Sequence, residues 1–90
     1  MIVTWDNAKR SANLTKHGMD FAELDLEFFL NALVVPGRAP RFKAVGAFRG
    51  RMIVVVVFAP LGTEALSVIS MRTASKRERK LLNDRQAPAG

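Results

Sequence analysis

The sequence predicts an α+β domain: an antiparallel β-sheet with two helices before it and one basic helix after it. Three observations carry this. Residues 41–48 alternate in polarity as a strand does, residues 52–58 are apolar at every position, and residues 64–71 alternate again, with turn residues between the three runs. Asp6 and Asp20 each stand before a helix-compatible segment. The segment from Ser75 to Leu82 opens on a Ser-x-x-Glu capping pattern and carries four cations in five positions.

In chain order, residues 1–5 (MIVTW) form a short β-branched and aromatic strand. Asp6 caps the next segment, NAKRSANLTKH, and Gly18 ends it as a C′ residue, with Lys16 and His17 in the last turn where cations suit the helix dipole. Ala8, Ala12 and Leu14 are expected to face inward, and Lys9, Asn13, Lys16 and His17 outward. Asp20 with Glu23 opens a second helix, FAELDLEFFLN, whose Phe21, Leu24 and Phe28 form the apolar stripe. Residues 32–35 make a short strand stopped by Pro36-Gly37. Phe42, Ala44, Gly46 and Phe48 share one face of the next strand, and Arg41, Lys43, Val45 and Ala47 the other. Arg49-Gly50 turns the chain into the doubly apolar run, which belongs at the centre of the sheet. Residues 60–63 turn it again, with Gly62 at positive φ. The order is β-α-α-β-β-β-β-α, helices packing on one sheet face. Residues 1–82 form one domain, and 83–90 a flexible tail with little to bury.

In the last strand, Leu66, Val68, Ser70 and Arg72 share one parity, so Ser70 and Arg72 leave the sheet on the same side near its end. The basic helix follows at once. Fourteen Lys and Arg, nine of them Arg, stand against eight acids, a net charge of +6. That balance points to an acidic partner: nucleic acid, an acidic protein, or both. The plainer alternative is a basic, soluble surface. There is no cysteine, hence no disulfide framework or thiolate metal site, and one histidine makes no zinc site. No stretch approaches the ~20 apolar residues of a membrane span. The N-terminus lacks the basic-then-apolar order of a signal peptide, so a cytoplasmic location is expected. No phosphate-binding glycine loop, dinucleotide fingerprint or nucleophile elbow is present. Trp5 and the six Phe read mostly as core, so any recognition of RNA leans on charge and shape.

The ordered set Trp5-Asp6, Lys9-Arg10, Asn13-Leu14, Lys16-His17-Gly18, Phe21, then Arg41-Phe42, Ala44, Gly46, Gly50-Arg51, and finally Ile69-Ser70, Arg72, Ala74 and Lys76-Arg77-Glu78-Arg79 resembles the BrnT family. These are toxins of type II toxin–antitoxin systems. The resemblance spans roughly residues 3–82. It implies a RelE-like antiparallel sheet flanked by helices, and metal-independent endoribonuclease activity that inhibits translation, with no cofactor. It also implies neutralisation by a BrnA-type antitoxin that carries a DNA-binding domain, so that DNA is met only through the antitoxin. Two places depart from the family pattern: Ser67 stands where many members have Arg, and residues 36–40 replace a longer charged loop. Both thin the cationic site.

RNA cleavage without a metal needs a group to take the 2′-hydroxyl proton, one to stabilise the phosphorane, and one to protonate the leaving 5′-oxygen. Arg72 is the candidate stabiliser, against the alternative of an ion pair to an acid. Ser70 orients phosphate or satisfies a backbone group. His17, the one side chain with an ordinary pKa near neutrality, is the candidate for proton transfer, against helix capping or RNA contact. Lys16 is a further catalytic candidate through phosphate contact. Lys9, Asn13, Lys76, Arg77, Arg79 and Lys80 are candidate RNA contacts, Lys76 and Lys80 lying one helical turn apart. Glu78 reads as the capping partner of Ser75. Two other functional classes fit: a non-catalytic RNA- or protein-binding module, and a DNA-associated accessory of a repressor partner.

Overall fold

The computed structural model describes residues 1–50 and 52–86. Arg51, which takes part in the family resemblance, and the tail residues 87–90 lie outside them. The elements are β1 (Ile2–Trp5), α1 (Asn7–His17), a 3-10 turn (Phe21–Glu23), α2 (Leu26–Asn31), β2 (Leu33–Pro36), β3 (Phe42–Phe48), β4 (Met52–Leu61), β5 (Ala65–Thr73) and α3 (Lys76–Gln86). The strands form one sheet in the order β1-β5-β4-β3-β2. The apolar β4 is its middle strand, as its two-sided hydrophobicity requires.

From β2 to β5 every pairing is antiparallel, with Val45↔Val55 and Val55↔Arg72 in register. β1 is different: it lies parallel to β5, from Ile2↔Ala65 to Trp5↔Val68. The sheet is therefore antiparallel through the three strands the sequence predicted, with β1 added in parallel at one edge. Strands so far apart in sequence are joined by no turn whose residues fix their direction. β4 runs beyond the expected turn at Pro60. Pairing with β3 begins only at Phe42↔Phe58, so residues 59–61 have a free side there, where a sheet tolerates proline.

The second helix is broken in two. The Asp20 carboxylate accepts from the Ala22 N–H at 2.9 Å and supports only one turn before Leu24 becomes extended. The Asp25 carboxylate then accepts from the Phe28 N–H at 2.9 Å and opens α2. An aspartate inside a predicted helix competes for backbone N–H groups and restarts the helix. The apolar stripe survives: Phe21, Leu24 and Phe28 are all buried.

The helices cover both sheet faces rather than one. Phe21, Leu24, Phe28, Ala44, Phe48, Val54, Val56 and Phe58 belong to the larger core. Val45, Val55, Ala74 and Leu82 form a smaller one, to which α3 contributes Leu82. The alternation of Val54, Val55 and Val56 supplies both. Gly46 faces α2's end so closely that an added Cβ would stand 3.2 Å from the Ala32 Cβ and 3.3 Å from Phe28 Cε1. Arg49 and Gly50, at φ 57° and 70°, turn the chain between β3 and β4. There the Arg49 guanidinium pairs with Glu23 and sits 5.3 Å from the Phe48 ring centroid. α3 continues to Gln86, past the expected boundary at residue 82.

Candidate functional site

α1 is set by its ends: the Asp6 carboxylate accepts from the Ala8 N–H at 2.7 Å, and Gly18, at φ 68°, donates its N–H to the Leu14 carbonyl. Its roll about its own axis departs from the expected one, although Lys9 and Lys16 are exposed as expected. Ala8, Ala12 and Leu14 are exposed, and Asn13 is buried. The reason lies in β5. β1 pairs only with residues 65–68, so the later half of β5 has an open edge. α1 packs there, and the Asn13 Oδ1 accepts from the Met71 N–H at 3.0 Å while its Nδ2 donates to the Met19 carbonyl at 3.1 Å. An amide that satisfies two buried backbone groups outweighs the burial of an alanine methyl. Asn13 is thus committed inside the protein and is corrected from an RNA contact to an anchor.

That roll brings Lys9, Lys16 and His17 against Ile69 and Ser70 around a shallow cleft of about 200 Å³, with Ala12 and Asn13 completing its lining. Five of the expected site residues, Lys9, Asn13, Lys16, His17 and Ser70, from two distant parts of the chain, therefore meet at one place. His17 is half-buried there, and Lys9 and Lys16 are exposed.

β5 reaches the cleft through an irregularity. Val57 pairs with Ser70 and Phe58 with Val68, which leaves Ile69 without a partner, a β-bulge. Before it Leu66 and Val68 are core residues; after it Met71 is. The expected common parity of Leu66, Val68, Ser70 and Arg72 is broken at this point. Ser70 and Arg72 still share a side, the one opposite the larger core.

Arg72 does not line the cleft. Its Nη1 and Nη2 each donate to a different oxygen of Glu78, both at 2.8 Å, and Nη1 also meets the Thr73 carbonyl at 3.3 Å. Of the two readings of Arg72, the ion pair is the one formed. Its Nε–H is left for other partners, and the side chain is 36% exposed. Glu78 also completes the expected capping box: its Oε1 accepts from the Ser75 N–H at 2.9 Å, and its own N–H donates to Ser75 Oγ at 3.2 Å. The Arg72 hydrogen bonds, followed by those from Ser75, hold the Glu78 carboxyl down at about 2, against the burial that opposes ionisation. Lys43 Nζ stands 3.8 Å from Glu78 Oε2.

Lys76, Arg77, Arg79 and Lys80 are exposed on α3, and none of them lines the α1 cleft. Arg79 instead borders a depression with Met52, Ile53, Thr73 and Asn83. Two participants were not legible as such. Arg10 grips Asp20 in a bidentate pair, at 2.6 and 2.8 Å, which ties α1 to the 3-10 turn and holds the Asp20 carboxyl at about 2. Lys43 shares the strand face of Val45, and that phase was the available signal that it looks toward α3. Among the described residues, no three His, Asp or Glu side chains converge as metal ligands, and no helix is long and apolar enough to cross a membrane.

A family model described as ribonuclease toxin, BrnT, of type II toxin–antitoxin system matches residues 5–78. The crystal structure of the Brucella abortus ribonuclease toxin BrnT superposes with a TM-score of 0.80 at 55% sequence identity, covering 84% of this chain and 99% of that one. No curated protein sequence matches.

Proposed function

The chain belongs to the BrnT family of ribonuclease toxins of type II toxin–antitoxin systems, and from that premise we propose that it cuts RNA at the cleft between α1 and β5. The observation that supports this placement is the convergence of Lys9, Lys16 and His17 with Ser70. In the proposed reaction the 2′-oxygen attacks the adjacent phosphorus and gives up its proton, and the bond to the 5′-oxygen breaks. The 5′-oxygen leaves as a hydroxyl, and the other strand ends in a 2′,3′-cyclic phosphate. His17 is the proton-transfer group. Lys16 offsets the charge that grows on the phosphorane, and Ser70 donates to a phosphate oxygen. Arg72 acts from the same side of β5 through its remaining N–H groups. Lys9, Lys76, Arg77, Arg79 and Lys80 hold flanking phosphates. The side chains supply acid, base and charge without a metal, so cleavage proceeds in chelator.

As a toxin of this class the protein has an antitoxin partner and an RNA substrate. We assign the antitoxin to the BrnA type, whose DNA-binding domain provides the route to DNA, and the activity to the cytoplasm. The complex should weaken with salt, because rim charges are screened within about 10 Å at 0.1 M.

Purified protein on bulk RNA with chelator tests the reading. New 5′-hydroxyl ends are expected, and intact RNA would leave only a non-catalytic binding module. His17→Ala should lower the rate and flatten its pH profile. If both are unchanged, proton transfer belongs to another side chain.

A further inference from the structure

Lys43, on β3, lies in one cross-strand row with Val57 and Ser70: Lys43 pairs with Val57, and Val57 with Ser70. Directly opposed residues present their side chains on the same sheet face, so Lys43 and Ser70 flank Val57 from either side. Neighbouring strands are ~4.8 Å apart, which puts the two Cα atoms roughly 10 Å apart, within the combined reach of a lysine stem and a phosphate bound to a serine hydroxyl. Arg72 stands in the next row, paired with Val55, on that same face. Three residues with anion-binding side chains thus share a patch of sheet whose near floor, Val57, is only half-buried.

The two cations of this patch differ in what they have left to offer. Arg72 commits two of its five N–H groups to Glu78 and a third to the Thr73 carbonyl. Lys43 also faces Glu78, but 3.8 Å is an ionic contact and too long for a hydrogen bond, so none of the three ammonium N–H groups is spent on it. The Lys43 side chain is 38% exposed. Glu78 is itself immobilised by Arg72 and Ser75, so it holds the ammonium near the patch without saturating it.

We propose that Lys43 and Ser70 bind one phosphate of the RNA substrate across Val57, extending the path of the strand from the α1 cleft over the sheet. The proposal rests on the ribonuclease reading and adds to it a binding residue that the sequence pattern did not single out. Lys43 is a binding residue for the chain's phosphates, and Glu78 a positioning residue that acts through it.

The test is binding of a single-stranded 2′-O-methyl RNA oligonucleotide, which lacks the attacking hydroxyl and cannot be cut. It is measured against salt for the parent, Lys43→Met, Lys43→Arg, Ser70→Ala and the Lys43→Met/Ser70→Ala double variant. Lys43→Met should weaken binding roughly tenfold at 0.1 M salt and reduce the slope of log K against log salt by about 0.7, one single-strand phosphate contact. Lys43→Arg should restore the slope. Because both side chains hold the same phosphate, the double variant should lose no more than about threefold beyond the worse single one. Unchanged affinity and slope in Lys43→Met, or losses that multiply in the double variant, would overturn the proposal. If the parent binds this probe but leaves ordinary RNA intact, the ribonuclease reading fails while the same comparison still decides Lys43. A parent that neither binds nor cuts sinks both.

Discussion

Truncating Asn13 to alanine removes two hydrogen bonds at once and strands two backbone groups. The Met71 N–H loses its acceptor, on a residue with no exposed surface, and the Met19 carbonyl loses its donor, on a residue 8% exposed. Each buried group left without a partner costs about 1–3 kcal/mol, so the pair costs ~2–6 kcal/mol, with water entry favouring the lower half. A 90-residue domain has a total stability of roughly 5–13 kcal/mol, so the loss is a large fraction of it. At ~1–3 kcal/mol per molar of urea, a 3 kcal/mol loss moves the unfolding midpoint down by about 1–3 M at unchanged slope. In a thermal scan the same loss is worth about 12–24 °C. The assay is urea unfolding of Asn13→Ala beside Lys9→Ala, whose exposed side chain should change stability by no more than ~0.5 kcal/mol. If Asn13→Ala unfolds at the parent's midpoint but binds RNA less well, the amide faces solvent and the packing of α1 on β5 argued above is wrong.

Acid should unfold the protein through two identified carboxylates. Glu78 and Asp20 ionise at about 2 in the folded chain, below their ordinary values of 4.5 and 3.8, so their contribution is complete above those values and is lost as pH falls toward 2. The melting temperature should be level above about pH 5 and drop below it, and Glu78→Gln should make the drop shallower. A melting temperature independent of pH down to about 2 would contradict both pairs. Gly46→Ala forces its new methyl against Ala32 and Phe28 and should lower the melting temperature by ~4–8 °C, for about 1 kcal/mol of overpacking. Replacing Lys76 and Lys80 by alanine should weaken RNA binding and flatten its salt dependence while leaving the melting temperature within a few degrees.

The sheet was legible because its signals are local. The Arg49-Gly50 turn and the turn at residues 60–63 separate three strand-length runs, and the order of β3, β4 and β5 follows from them. Caps were legible for the same reason, as Asp6, Gly18 and the Ser75–Glu78 box show. What depends on partners far along the chain was not. The direction of β1 is decided by β5, some 60 residues away. The roll of α1 is decided by the Met71 N–H, which takes Asn13 as its acceptor, and periodicity alone ranks an asparagine below three apolar residues for burial. Within the candidate site, Lys16, His17 and Ser70 were individually visible as chemistry. Their meeting was not, because it depends on that roll. Arg72 shows the opposite limit: its residue type suggests a free phosphate fork, and only the structure shows Glu78 in it.

The unpaired Ile69 has a consequence for how the chain tolerates change. Strand residues alternate between faces, so one extra residue exchanges the faces of everything that follows it. Before Ile69 the even-numbered Leu66 and Val68 are inside; after it the odd-numbered Met71 is. Deleting this one residue, with Val68 and Ser70 kept opposite Phe58 and Val57, would close the bulge and leave Met71 inside and Ser70 and Arg72 outside, whereas pairing Ile69 regularly would turn Met71 outward. A conservative substitution at Ile69 keeps the count and should be nearly silent. The bulge, by taking Ile69 out of the pairing, keeps Ser70 and Arg72 together on the polar side of β5.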